Sequence, residues 1–337
     1  MIPCLILLNL EKVGTLMTIQ KSIHYFKASL ESMQLSSHTI KAYLQDLAQW
    51  QAFVNIEALE DLSFEVLQEY LMHLQSTGLK PTSLRRKRVV LHRFLTFCYE
   101  KRLCDEKFYD YIDPIKMRKH KAPKEVLSTE EIEELFDYID GQIAINEALL
   151  GTSNHYDYLY YCWIRNKLIV GILLYTGCRA NEAVSLKKMD INIKNNTILL
   201  LAKGFKYNVV PIHPELLTLL KGYDEQIQLL KNVDILKVID ESIYMFPSRQ
   251  DSGAHLATRT LHDLMLKLSG VLGRHIHAHL FRHTFASYCI AANIDITTLS
   301  SLISHSNPSI TLSIYTHEIE ATQKQNEIKK LHFDKRS

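Results

Sequence analysis

The spacing of apolar residues constrains the fold of this chain more than any other feature. They recur mostly at three- and four-residue intervals, the repeat of an α-helix with one buried face. The stretch Leu35 to Val54 is a clear case, with a serine N-cap at position 36 or 37. Two apolar runs, Ile198 to Leu201 and Val209 to Ile212, favour strands instead, and they flank Lys203 and Gly204 as in a β-hairpin. The sequence therefore predicts a mainly α fold with a small antiparallel sheet.

A second helix is predicted to begin after Pro81, with Thr82 or Ser83 as its N-cap. Positive charge in the first turns of a helix opposes the helix dipole, so it is unfavourable unless an anion lies there. A DNA phosphate would supply that anion. A solvated basic face is the alternative interpretation. Four consecutive basic residues near this helix start are therefore candidate DNA-binding residues: Arg85, Arg86, Lys87 and Arg88.

A stretch without periodicity separates two predicted domains. Residues 113–126 contain two prolines and many basic residues, which is typical of an interdomain linker. We expect an N-terminal extension at 1–17, one domain at 18–112 and a second at 127–337. Ser128 and Glu131 form a capping box that opens the second domain. Residues 141–158 are poorly periodic and predict a loop or an inserted helix.

Composition excludes several classes of protein. Hydrophobic residues make up 47% and charged residues 23%, as in soluble globular proteins. The apolar run Ile2 to Leu10 is too short to cross a bilayer and lacks the flanks of a signal peptide. We interpret it as a short N-terminal extension or as sequence that lies upstream of a true start at Met17. Six cysteines without CxxC spacing argue against a disulfide framework and a cysteine zinc site. We expect a reduced, cytoplasmic protein without membrane contact.

Charge is separated along the chain although the net charge is only +2. Residues 80–124 hold fourteen Lys and Arg against five Asp and Glu, whereas residues 125–160 hold nine acidic residues and no Lys or Arg. A segment that binds a polyanion, next to a solvated acidic face, would have this pattern.

Four distant segments carry side chains suited to phosphodiester chemistry. Guanidinium groups bind two non-bridging oxygens in a fork and stay charged. A phenol can act as a covalent nucleophile when nearby cations favour its oxyanion, and a lysine can protonate a leaving alkoxide. The residues are Arg179 and Glu182, Lys203, His279 and Arg282, and His305 and Tyr315.

In their order and spacing these seven residues resemble the tyrosine recombinases, the phage integrase and Xer family. The resemblance covers residues 127–320, and residues 36–98 resemble the helical, SAM-like core-binding domain of such enzymes. It implies that 127–337 is an α-rich catalytic domain and that duplex DNA is cleaved and rejoined through a 3′-phosphotyrosyl intermediate. It further implies a homo-tetramer on paired sites, with neither cofactor nor metal nor ATP, and it is compatible with an accessory or DNA-translocase partner.

The resemblance also implies a role for each residue. Tyr315 is the nucleophile, and Arg179 and Arg282 hold the phosphoryl oxygens together with His305. Lys203 is the candidate general acid, His279 assists proton transfer from the tyrosine, and Glu182 positions its neighbours. A helix over residues 320–333 is expected to dock on a neighbouring protomer.

Three departures from the family pattern stand out. Ser304 precedes His305 where the family usually has glycine, and Asn208 replaces a commonly basic residue of the hairpin. Tyr315 follows His305 by ten residues rather than the nine usual in Xer enzymes, which favours integrases of mobile elements. The biological role stays open between integration or excision of a mobile element and Xer-type resolution.

Other interpretations use the same residues. His279 and His283, with His275 and His277 nearby, could bind zinc, but no HExxH motif accompanies them. A type IB topoisomerase-like enzyme would nick and reseal DNA without pairing sites. A DNA-binding regulator that has lost catalysis is a third alternative, and the presence of all seven residues argues against it.

Overall fold

The computed structural model describes residues 17–113, 125–202, 206–230, 232–304, 307–312 and 314–316. The chain divides into two compact units, residues 1–120 and 121–337. Helices dominate both units, and one small antiparallel sheet lies in the second unit. The predicted fold class is confirmed. Among the described residues, no helix is long and apolar enough to cross a membrane.

Four helices build the first unit, where the sequence predicted two. The additional helices begin at side-chain N-caps: the Thr18 hydroxyl accepts from the amide of Lys21 at 3.2 Å, and the Ser63 hydroxyl from that of Val66 at 3.3 Å. The helices are α1 (Ile19–Ser32), α2 (Ser37–Val54), α3 (Phe64–Ser76) and α4 (Pro81–Glu100), with 3₁₀ turns at Leu59–Asp61 and Phe108–Tyr111.

The start of α4 differs from the prediction. Pro81 is its first residue and Lys80 occupies the N-cap position, so neither Thr82 nor Ser83 caps the helix. Proline is favoured there because the first helical N–H needs no partner inside the helix and the ring already fixes a helical φ. Helix α2 begins as expected, with Ser36 as its N-cap.

A buried ion pair ties α2 to α4. Asp46 on α2 is 3% exposed, and its Oδ1 accepts from Arg86 Nη2 and from Lys87 Nζ, each at 3.0 Å. The Lys87 ammonium also bonds Gln49 Oε1. Lys87 therefore does not fit the predicted phosphate contact, because its charge is buried and already paired. The basic run has an inward-facing member as well as outward-facing ones.

Replacing Asp46 with alanine should destabilise the first unit strongly. Removing one partner of a buried ion pair leaves the other charge without compensation, which typically costs about 3–5 kcal/mol of unfolding free energy. Urea unfolding of Asp46→Ala measures the loss, and Asp105→Ala, at an exposed aspartate of the same unit, is the matched control. A loss no larger than that of the control would contradict the structural role of the pair.

The second unit contains eight helices among the described residues. They are α5 (Thr129–Glu147), α6 (Asn154–Thr176), α7 (Ala180–Val184), α8 (Pro214–Ile227), α9 (Val233–Glu241), α10 (Thr258–Leu272), α11 (Ala278–Ala291) and α12 (Ile296–Leu302). Residues 308–312 and 314–316 are also helical. The loop or inserted helix expected over residues 141–158 is wrong in extent, because α5 continues through Gly141 and only residues 148–153 separate it from α6.

The predicted capping box opens α5. The Ser128 hydroxyl accepts from the amide of Glu131 at 3.2 Å, and the Glu131 carboxylate accepts from the amide of Ser128 at 2.8 Å. The same carboxylate receives two bonds of 2.7 Å from Arg274, which also donates to the carbonyl of Val126 at 2.9 Å. Arg274 therefore lowers the pKa of Glu131 and ties the start of α5 to the turn before α11.

The predicted hairpin is confirmed as two antiparallel strands of a three-stranded sheet. Strand β2 (Thr197–Ala202) pairs with β3 (Lys206–Pro211), and the short β1 (Ile191–Asn192) adds an edge. Alternation buries Ile198, Leu200 and Val210 against the core of the second unit. Asn208 lies opposite Leu200 on that same inward face.

A separate small cluster holds the C-terminal part of the described chain. It joins α11, α12 and the helical turn that carries Tyr315, whose side chain is 1% exposed. The other buried members are Ala286, Cys289, Ile290, Leu299 and Ile303. This satellite core places the tyrosine beside α11.

Candidate active site

A tight turn after α6 sets the position of Arg179. Helix α6 ends at Thr176, and its C-cap Gly177 adopts a left-handed conformation with φ of +60°. A side chain there would also collide with Phe285, whose Cδ1 lies 2.5 Å from the position of a built Cβ. Glycine is required on both grounds, and the chain can then turn so that Arg179 becomes the N-cap of α7.

Glu182 fixes both the backbone and the side chain of Arg179. Its carboxylate accepts from the Arg179 amide at 2.9 Å and from Arg179 Nη1 at 2.8 Å. The glutamate side chain is 4% exposed, whereas that of Arg179 is 34% exposed. The guanidinium is therefore held from inside and remains accessible to a ligand from outside.

Arg282 is held by main-chain carbonyls instead of a carboxylate. It lies on α11, is 3% exposed, and donates to the carbonyl of Gly177 at 2.9 Å and to that of Ile303. Burial, together with the charge of Arg179, lowers the pKa of the Arg282 guanidinium to about 10. Two cations are thus placed near each other, and the Glu182 carboxylate, which bonds Arg179, tends to raise the pKa of Arg282. An additional anion would favour the charged form of Arg282.

The two guanidinium groups meet at one short segment. Arg179 Nη2 lies 3.4 Å from the carbonyl oxygen of Ser304, and Arg282 donates to the carbonyl of the preceding Ile303. His305 is the next residue in the sequence. Residues far apart in the chain therefore converge at the end of α12.

Tyr315 lies beside this segment and bonds His283, which the sequence indicated only as a possible metal ligand. Its hydroxyl lies 2.8 Å from Nδ1 of His283, which follows Arg282 on α11. The negative charge of an ionised Tyr315 would also stabilise the Arg282 cation, and this interaction tends to raise the pKa of Arg282. In the sequence, His283 stood out only by its spacing from His279 and its adjacency to Arg282.

His279 lies one helical turn before His283. Its side chain is exposed, and the centroids of the two imidazole rings are 5.8 Å apart. His277 is the N-cap of α11, and its Nδ1 accepts from the amide of Leu280 at 3.0 Å. In the part of the chain that the structure describes, no three His, Cys, Asp or Glu side chains gather closely enough to hold a metal ion.

Several predicted features lie outside the described residues. They include the hairpin lysine Lys203, His305, most of the linker at 114–124, the N-terminal residues 1–16 and the C-terminal helix expected at 320–333. Strands β2 and β3 end on either side of residues 203–205.

The described part of the site matches one kind of chemistry. Two fixed guanidinium groups can bind the non-bridging oxygens of a phosphodiester and stabilise the charge of a pentacoordinate state. A tyrosine hydroxyl next to them, with an imidazole as proton acceptor, can become a nucleophile. The arrangement therefore suits covalent attack on a phosphodiester.

Comparison with known proteins agrees with this geometry. Residues 125–321 match the phage integrase family, and residues 23–102 match the SAM-like N-terminal domain of phage integrases. The chain is 29% identical over 304 residues to the tyrosine recombinase XerC of Staphylococcus aureus (strain JH9), covering 87% of this chain and 92% of that protein.

Two solved structures are similar in fold. XerH site-specific recombinase bound to a palindromic difH substrate, in a post-cleavage complex, gives a TM-score of 0.64 at 18% identity, with 95% of this chain and 92% of that chain covered. A lambda integrase tetramer bound to a Holliday junction gives 0.60 at 15% identity, covering 87% and 76%. The family match spans more than half of the chain. The chain belongs to the phage integrase family and is a tyrosine recombinase, an enzyme that cleaves and rejoins DNA.

Proposed function

We propose that Tyr315 attacks the scissile phosphate of duplex DNA and forms a 3′-phosphotyrosyl link, releasing a 5′-hydroxyl. The observation that carries this proposal is the meeting of Arg179 and Arg282 at residues 303–304, with the Tyr315 hydroxyl on the neighbouring His283. The arginines bind the non-bridging oxygens and stabilise the charge that develops on them. Glu182 positions Arg179.

The phenol proton leaves through histidines of α11. The family resemblance implies His279 for this step, while the 2.8 Å contact makes His283 the first acceptor that the proton meets. His305 adds a donor to the phosphoryl oxygens, and Lys203 protonates the leaving 5′-oxygen.

The covalent link conserves the energy of the phosphodiester bond. The 5′-hydroxyl of a second strand can therefore attack the phosphotyrosine and restore both the DNA and the tyrosine. Each step is a transesterification at phosphorus, so the proposed cycle uses neither ATP nor a metal ion.

The substrate of this cycle is a pair of duplex sites in the cytoplasm. We assign residues 18–112 to a core-binding domain, 113–126 to a linker and 127–337 to the catalytic domain. Basic side chains contact the phosphate backbone of the DNA. A homo-tetramer would bring two sites together, and the fold-related lambda integrase is a tetramer on a Holliday junction.

A suicide duplex, nicked so that the cleaved strand diffuses away, tests the proposal. The full-length protein should form an adduct at Tyr315 that resists denaturation. Exchange between two matched sites supports recombination, while relaxation of any supercoiled plasmid would indicate topoisomerase-like action instead. Binding without an adduct would mean a DNA-binding regulator.

Among the four consecutive basic residues near the start of α4, Arg85 is the best candidate for a phosphate contact. It is exposed, whereas Arg86 and Lys87 bond Asp46, and Arg88 donates to the carbonyl of Asp113 at 3.1 Å. Arg85→Ala should weaken binding to all duplexes alike and reduce the slope of log K against log salt by about 0.9, the value of one phosphate contact. Lys41→Ala, at an exposed lysine of α2, is the control. An unchanged slope would identify Arg85 as part of a solvated face.

A further inference from the structure

Two of the departures from the family pattern, Asn208 and Ser304, contact each other. The Asn208 side chain lies on β3, and its Nδ2 is 2.9 Å from the hydroxyl oxygen of Ser304. The same Nδ2 lies 3.0 Å from the carbonyl oxygens of Ser301 and Leu302. Carbonyl oxygens only accept hydrogen bonds, so the atom that faces them must be the amide nitrogen. Asn208 thus donates to the end of α12.

Most of these bonds satisfy carbonyls that the end of a helix leaves without partners. The Ser301 carbonyl also accepts from the amide of Ser304 at 3.0 Å, whereas side chains from other elements bond the carbonyls of Leu302, Ile303 and Ser304 at and beyond the end of α12. Asn208 donates to the carbonyls of Ser301 and Leu302. Arg282 donates to the carbonyl of Ile303, and Arg179 to that of Ser304. Four consecutive carbonyls therefore hold the hairpin strand and both arginines at one place, directly before His305.

Ser304 itself is in a conformation that favours glycine. Its φ is +54°, in the left-handed region where a β-carbon is crowded by the backbone. The hydroxyl that accepts from Asn208 offers a compensation that glycine would not need. The hydrogen bond between Asn208 and Ser304 thus stabilises a left-handed conformation that a glycine would adopt without strain.

We propose that Asn208 is a positioning residue for strand cleavage. It fixes the turn at Ser304, and through it the residue that follows, against the hairpin strand that leads from Lys203. This inference rests on the proposed function of Tyr315 and its partners. Asn208 contacts neither DNA nor the reacting atoms in this assignment; it acts through the turn.

The test measures single-turnover adduct formation on the suicide duplex for Asn208→Ala, Ser304→Gly and the double variant. Asn208→Ala should slow adduct formation roughly 10- to 100-fold while duplex binding is unchanged, since a shift of about 1 Å at a catalytic group can cost about 100-fold. Ser304→Gly should stay within a few-fold of the wild type. In the Ser304→Gly background, Asn208→Ala should slow adduct formation only a few-fold, because glycine adopts the left-handed conformation of the turn without strain.

Two further variants sharpen the test. Asn208→Asp has the same size but cannot donate, and its carboxylate would face three oxygens, so it should be at least as slow as Asn208→Ala. Asn195→Ala, at an exposed asparagine in the turn before β2, should match the wild type. Thermal unfolding identifies a variant that fails to fold, and for such a variant the isosteric Asn208→Asp decides.

The outcomes separate this inference from the proposed function. If the wild type forms no adduct at Tyr315, the proposed function fails and the inference fails with it. If the wild type reacts and Asn208→Asp reacts as fast, only the inference is overturned. An equal cost of Asn208→Ala in the wild-type and Ser304→Gly backgrounds overturns it as well, because Asn208 would then not act through this turn.

Discussion

The Tyr315→Phe variant is expected to bind duplex DNA like the wild type and to form no covalent adduct. The substitution removes one oxygen and keeps the ring that fills the small cluster of α11 and α12, so the fold should persist. Loss of a covalent nucleophile lowers the rate by ~10⁴-fold or more in enzymes of this kind of chemistry. Gel analysis of the suicide duplex after denaturation measures the adduct, and a mobility shift measures binding.

Tyr288→Phe provides the matched control for Tyr315→Phe. Tyr288 lies on α11 with an exposed side chain, and its hydroxyl contacts the carbonyl of Leu127 at 3.4 Å, away from the arginine pair. Its adduct yield should equal that of the wild type. The wild-type reaction should also persist in EDTA. If Tyr315→Phe still forms an adduct, Tyr315 is not the nucleophile. If the reaction requires a metal ion, the histidines of α11 become candidate metal ligands.

Features set by local rules could be predicted from the sequence. Apolar periodicity and capping residues act within a few positions, so α2 and the start of α5 were predicted with their caps. The hairpin followed from two apolar runs around a glycine. The loop or inserted helix predicted over residues 141–158 was too long, because α5 and α6 are separated by only six residues and the periodicity of each is hard to recognise there.

Features that depend on distant partners could not be predicted. Lys87 was a candidate phosphate contact because positive charge near a helix start favours an anion there, but Asp46, about 40 positions earlier, offers a buried partner. His283 was weighed only as a metal ligand, because nothing in the sequence places it within 2.8 Å of Tyr315. The contact between Asn208 and Ser304 joins positions almost a hundred residues apart. Family resemblance flagged both residues separately, and only the fold relates them.

Lys203→Ala should cleave an ordinary site slowly and a sulfur-substituted site at nearly the wild-type rate. In the sequence Lys203 follows β2 directly and precedes Gly204, and glycine tolerates the backbone angles of tight turns. The expelled 5′-alkoxide is strongly basic, so a proton donated in the transition state should contribute ~10²–10⁴-fold. A thiolate leaves without that proton, and a substrate with sulfur at the 5′-bridging position therefore makes the acid unnecessary.

Lys206 is the rival acid and supplies the matched variant. It opens β3 as an exposed residue opposite Ala202, only three positions after Lys203. If Lys203 is the acid, Lys206→Ala should show the same rate ratio between the two substrates as the wild type. Rescue of Lys206→Ala alone would assign the acid to that lysine. If sulfur rescues neither variant, the leaving oxygen takes its proton from another group, and the hairpin lysine acts only by its charge.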